Sequence, residues 1–60
     1  MKAEWKEFNI YPEQSGVKAM AKARKINGEI EVRLLFKAQR GFYYSFLEDA
    51  RIEAEKILNQ

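Results

Sequence analysis

The sequence contains neither cysteine nor histidine. Without cysteine the chain can form no disulfide and no thiolate metal site, and without histidine it lacks the usual imidazole ligand and general base. Its two serines have structural interpretations, Ser15 in a turn and Ser45 at a helix start, and its three glycines are scattered rather than gathered into a phosphate loop. The sequence therefore predicts a protein that is not an enzyme, uses no metal or cofactor and has no small-molecule substrate.

Long hydrophobic runs are also absent. No stretch approaches the roughly eighteen consecutive apolar residues of a membrane span, and no short apolar run follows a basic start as in a signal peptide. We therefore expect no membrane association and a cytoplasmic location. Sixty residues, 47% of them apolar and 13% aromatic, indicate one small folded domain, 1–60, rather than a disordered chain. For so small a core, dimerisation would add stability.

Residues 17–38 carry the strongest local pattern, that of a β-hairpin. Asn27 and Gly28 separate two runs of ten residues, and both residue types tolerate the positive φ that a type I′ turn requires. A two-residue loop fixes the register, and alternation then gives the sheet one open and one covered face. The pairs predicted on the open face are Ile26/Glu29, Arg24/Glu31, Lys22/Arg33, Met20/Leu35 and Lys18/Lys37. Those predicted on the covered face are Lys25/Ile30, Ala23/Val32, Ala21/Leu34, Ala19/Phe36 and Val17/Ala38.

A further strand is predicted before this hairpin. Residues 5–11 are rich in β-forming types, and Pro12, which has no N–H to donate to a ladder, ends the strand. Phe8 and Ile10 share the face that we expect to be covered. Trp5 and Tyr11 are therefore predicted on the open face.

A short fourth strand is predicted after the hairpin. Gln39, Arg40 and Gly41 fit a three-residue loop with a glycine bulge, which would return residues 42–44 alongside the preceding strand. Alternation then places Tyr43 on the open face, with its two neighbours on the covered face.

The remainder of the chain predicts a helix. Ser45 with Glu48 three residues later forms a capping box, and Asp49 is an alternative cap; the two acids then lie in the first turn. Ile52 lies opposite an apolar arc that would dock on the alanines of the covered face. The residues of that arc are Phe46, Leu47, Ala50, Ala54, Ile57 and Leu58. The fold class predicted is α+β, an antiparallel meander of three to four strands with a C-terminal helix packed on one face.

Positive charge is concentrated on the hairpin. Residues 15–41 hold seven basic and two acidic side chains, against four basic and seven acidic in the rest of the chain. Basic groups neutralise phosphates, and aromatic rings offer stacking platforms for unpaired bases. The predicted nucleic-acid-binding residues are Lys18, Lys22, Arg24, Arg33, Lys37, Tyr43 and Trp5. Asn and Gln, the bidentate base readers, are scarce on this face, so we expect binding of DNA or a single strand with low sequence specificity.

Two alternatives accompany this interpretation. The cations are equally compatible with an ordinary solvated sheet face. The same face also carries apolar side chains, among them Met20 and Leu35, and exposed apolar patches mark partner surfaces. A protein-interaction module, either a homodimer or a phage- or plasmid-type inhibitor of a host protein, would use this face or an edge strand of the sheet.

Three resemblances also favour nucleic acid. Residues 16–21, 26–32 and 41–45 resemble the strand core of the stage V sporulation protein G (septation regulator) family, whose members are small β-rich DNA-binding dimers. That likeness ends at Ser45, so it implies no particular site residues here. The architecture, a basic antiparallel sheet followed by a capped helix, is similar to the arm-site DNA-binding domains of tyrosine integrases. It is similar also to single-strand binders of the Pur and positive cofactor 4 types, although fold likeness carries function weakly.

Overall fold

The computed structural model describes residues 3–59, which form three strands and one helix. Strand β1 spans Lys6–Asn9, β2 spans Met20–Ile26, β3 spans Glu29–Leu34, and helix α1 spans Tyr43–Leu58. The strands form an antiparallel sheet in the order β1-β2-β3, and the helix packs across β2 and β3. The predicted α+β meander is thus confirmed. Within residues 3–59 no helix is both long and apolar enough to cross a membrane.

The predicted hairpin register is confirmed for the six pairs from Ala21/Leu34 to Ile26/Glu29. Asn27 and Gly28 adopt φ values of 54° and 79°, the left-handed conformation that a type I′ turn needs at both positions. The ladder is shorter than predicted, because a bend follows Leu34 and only the Leu35 N–H reaches back, 2.9 Å from the Met20 carbonyl oxygen. The three outer pairs, Ala19/Phe36, Lys18/Lys37 and Val17/Ala38, do not belong to it.

Strand β1 ends earlier than predicted because the Asn9 side chain turns the chain. Its Oδ1 accepts the Tyr11 N–H at 2.8 Å, and its Nδ2 donates to the Val17 carbonyl at 3.1 Å. This Asx-type turn breaks the alternation that the sequence suggested. Tyr11 consequently points to the helix side, where its hydroxyl contacts Asp49, so its predicted place on the open face is wrong.

The fourth strand is also absent from the part of the chain that the structure describes. Gly41, at φ 95°, completes a tight turn in which the Phe42 N–H bonds the Gln39 carbonyl at 3.0 Å, and the helix begins at once. Its start is anchored by Phe46, whose ring packs edge-on against Phe36 with centroids 5.0 Å apart.

Because the helix begins at Tyr43, Ser45 lies inside its first turn and is not the N-cap. Phe42 occupies the N-cap position and makes no side-chain capping bond. Glu48 and Asp49 fall in the second turn, so their predicted place in the first turn is wrong as well. The predicted apolar arc nevertheless faces the sheet, with Ala50 and Ala54 buried, and Ile52 is exposed as expected.

The core lies between the sheet and the helix and is built largely of alanine. Ala21, Ala50 and Ala54 are 0% exposed, and they cluster with two further alanines and with Phe8 and Ile10. Side chains this small let the helix backbone approach the sheet closely. The resulting two-layer molecule measures 34 × 24 × 15 Å, and it leaves the opposite face of the sheet uncovered.

Candidate nucleic-acid interface

The open face of the sheet is organised around Trp5. The β1–β2 register pairs Lys6 with Ala23, and its continuation by one residue brings Trp5 opposite Arg24. The centroid of the indole ring lies 4.4 Å from the Arg24 guanidinium carbon, 4.8 Å from Lys22 Nζ and 5.8 Å from the Arg33 guanidinium carbon. All three distances fall within the range of cation–π attraction. We call these four residues, Trp5, Lys22, Arg24 and Arg33, the Trp5 cluster.

Glu31 ties two of these cations together. Its Oε1 accepts a 2.6 Å hydrogen bond from Arg24 Nε, as the register predicted, and its Oε2 lies 3.8 Å from Arg33 Nη2. Lys22 and Arg33 face each other directly across β2 and β3, a like-charge pair that would cost stability alone. The Glu31 carboxylate and the indole ring both reduce that repulsion.

Lys22 is the cation of the cluster that is least engaged. Among residues 3–59 it belongs to no ion pair, although Glu7 stands opposite it on β1. Arg33 is only loosely held, since its side chain is 64% exposed and its contact with Glu31 is long. Arg24 is more buried and tightly bonded, so it supports the cluster, whereas Lys22 and Arg33 are the cations available to an external anion.

The acidic side chains on this face make it less cationic than the hairpin sequence alone suggests. Glu7 from β1 joins Glu29 and Glu31 on the same side of the sheet as Lys22, Arg24 and Arg33. The local feature that remains is therefore the Trp5 ring and its cations, and not a broad positive field.

The structure brings together four of the seven predicted site residues. Lys18 and Lys37 are exposed in the segments that flank the hairpin and lie outside the ladder. Tyr43 belongs to α1, not to the sheet, and it is 46% exposed beside a groove at the outer edge of β3 that Arg33 and Leu34 also line. Its predicted place on the open face is therefore wrong.

Sequence reasoning placed Trp5 on the open face but missed the contacts of its ring with the cations. The signal was the register itself, because antiparallel pairing of Lys6 with Ala23 continues to Trp5 opposite Arg24. What the sequence could not supply was which strand neighbours β1.

On the opposite side of the molecule, a partly buried hydrogen bond joins the helix to the β1–β2 connection. The Tyr11 hydroxyl donates to Asp49 Oδ2 at 2.6 Å, and the Tyr11 ring lies edge-on to Phe46 with centroids 6.3 Å apart. The hydrogen bond, together with burial and the negative charge of Asp49, raises the pKa of Tyr11 above its ordinary value of 10.0. This contact serves the fold and lies away from the Trp5 cluster.

The raised pKa makes part of the stability depend on pH. The folded chain holds the Tyr11 proton more tightly than the unfolded chain, so the contact stabilises fully below about pH 10 and is lost as pH rises through the folded pKa. We expect Tyr11→Phe to lower the free energy of unfolding by about 1 kcal/mol at neutral pH, and by progressively less in alkali. Urea unfolding of both proteins from neutral pH to about pH 11 measures the two free energies of unfolding. A difference between them that stays constant across that pH range would refute the prediction.

The described residues, 3–59, contain no group of three or more acidic side chains placed to hold a metal ion. No protein-family model, no curated protein and no solved structure matches the chain.

Proposed function

We propose that this chain is a small non-enzymatic nucleic-acid-binding module that uses the open face of its sheet. The observation that carries the proposal is the indole ring of Trp5 set among Lys22, Arg24 and Arg33. A ring next to cations matches a nucleotide, whose base stacks while its phosphate is neutralised. Single strands are favoured, because only unpaired bases offer a free face to the ring.

Each member of the site has a distinct role in this proposal. Trp5 stacks a base, Lys22 and Arg33 contact phosphates, and Arg24 holds the ring in place through its bond to Glu31. A phosphate would displace Glu31 from Arg33 more easily than from Arg24, since those contacts measure 3.8 and 2.6 Å. Lys18 and Lys37 contact further phosphates of the same bound nucleic-acid strand.

A salt titration tests the proposal. We expect micromolar binding of a labelled single-stranded oligonucleotide at low salt, weaker binding of the duplex, and a slope of log K against log salt between about −1.4 and −2.8. These slopes correspond to two to four phosphate contacts at about 0.7 each. Absence of binding at low salt, or an affinity independent of salt, would end the proposal.

A second candidate, a protein-interaction module, is favoured by apolar side chains at one end of the open face. Met20 and Leu35 are 38% and 43% exposed there, joined by the last hydrogen bond of the hairpin. Met20→Lys separates the two functions, because an added cation should strengthen nucleic-acid binding, whereas it should weaken an apolar protein contact. The sign of its effect decides between them.

A further inference from the structure

The outer edge of β3 is an unpaired strand edge. The Leu35 N–H bonds Met20 in a directly opposed pair, and hydrogen-bonded pairs alternate along an antiparallel ladder. Residues 29, 31 and 33 therefore bond to β2, and the N–H and C=O groups of Ile30, Val32 and Leu34 point away from it. With no fourth strand in the described chain, these groups meet no other strand. Such an edge is a template for another strand.

The sequence of this edge is complementary to itself. When two copies of β3 run antiparallel with Val32 opposite Val32 of the second copy, Ile30 meets Leu34, and Glu31 meets Arg33, twice over by symmetry. The outward backbone groups also match, since Ile30, Val32 and Leu34 form the hydrogen-bonded pairs. Glu31 and Arg33 then occupy the close non-hydrogen-bonded positions, where opposite charges stabilise a sheet.

Neighbouring registers are disfavoured by charge. A shift by two residues in one direction sets Glu31 against Glu31 of the second copy, although it also pairs Glu29 with Arg33, and a shift in the other direction sets Arg33 against Arg33. The outer edge of β1 is a poorer site, because the strand has only four residues and its centre would oppose Glu7 to Glu7. Charge thus favours this edge and this register.

We infer that two copies of this chain associate through β3 in this register, forming a six-stranded sheet.

Helix α1 packs across β2 and β3, so the two helices of the dimer would lie side by side on the same face of the joined sheet. Both Trp5 clusters would lie on the same open side of the sheet. Arg33 and Glu31 have a role in both proposals, but each proposal has its own readout, the mass of the chain for association and oligonucleotide affinity for nucleic-acid binding.

Sedimentation equilibrium of the full chain, with charge variants of β3, tests this association. We expect the apparent mass of the wild-type chain to reach twice 7.1 kDa at protein concentrations below about 100 μM. Arg33→Glu should weaken the association at least tenfold. Arg40→Glu, the same charge change in an exposed turn, should leave the mass unchanged. An equimolar mixture of Arg33→Glu and Glu31→Arg should dimerise although each alone does not, because the mixture restores both ion pairs.

Hydrogen exchange of the wild-type chain provides a second readout that does not depend on variants folding. The amides of Ile30, Val32 and Leu34 should gain protection as concentration rises, while the other β3 amides, already bonded to β2, should not. The inference would be overturned if the wild type stayed monomeric at about 1 mM. It would also be overturned if Arg33→Glu left the dimer affinity unchanged, or if the mixture of the two variants stayed monomeric. None of these outcomes bears on the salt titration, so the two proposals fail separately.

Discussion

Replacing Ala50 with leucine should lower the melting temperature by about 10 °C, corresponding to about 2 kcal/mol of lost stability. Ala50 is 0% exposed and shares its cluster with Ala21 and Ala23 on β2. A leucine there adds three carbon atoms to a closely packed contact between helix and sheet, so the helix or its neighbours must shift to make room. For a chain of this length, whose total stability is expected at about 3–9 kcal/mol, that loss is large.

The matched control introduces the same side chain where it meets water. Ile52 is exposed on the far side of α1, and Ile52→Leu should change stability by less than about 0.5 kcal/mol. Thermal unfolding followed by circular dichroism compares the two variants. If Ala50→Leu had the same melting temperature as wild type, the close alanine contact between helix and sheet would be refuted.

Replacing Trp5 with alanine should weaken single-strand binding by between about 5- and 150-fold, the range expected for loss of one stacked base. The change removes the ring from Lys22, Arg24 and Arg33 and leaves their charges in place. The slope of the salt dependence should therefore persist while affinity falls. Trp5→Phe, which keeps a stacking ring, should retain most of the affinity.

An aromatic residue elsewhere provides the comparison. Tyr44 is 79% exposed at the start of α1, beside Tyr43 and away from the sheet ladder. Tyr44→Ala should bind the labelled single-stranded oligonucleotide with wild-type affinity, as measured by fluorescence anisotropy. An equal loss in both alanine variants would mean that aromatic surface in general, and not the Trp5 cluster, binds the oligonucleotide.

The central hairpin was predictable because local chemistry decides it. Asn27 and Gly28 supply the two positive φ values, and a two-residue loop leaves a single register, so the contact between Arg24 and Glu31 followed from counting residues. The alanine stripe and the helix arc were predictable in the same way, from periods of 2 and 3.6 residues.

The errors all lie where a tertiary contact or a single side chain overrides a local pattern. Residues 42–44 have β-forming types, but Phe46 packs on Phe36 and the chain enters the helix at Tyr43. The alternation of the sequence places Tyr11 on the open face, but the Asn9 side chain ends the strand before Tyr11. Both corrections matter for function. The first removes Tyr43 from the open face and uncovers the edge of β3, and the second removes Tyr11 from the open face.

The most direct test of the central claim is a heteronuclear NMR titration of the chain with a short single-stranded oligonucleotide at low salt. The account predicts that the Trp5 indole N–H and the signals of Lys22 and Arg33 shift together in proportion to saturation. Signals of the helix-side residues Tyr11 and Asp49 should stay in place, since their contact lies on the opposite side of the molecule. Shifts confined to the helix, or a Trp5 signal unchanged at saturation, would contradict the claim that the open face is the binding surface.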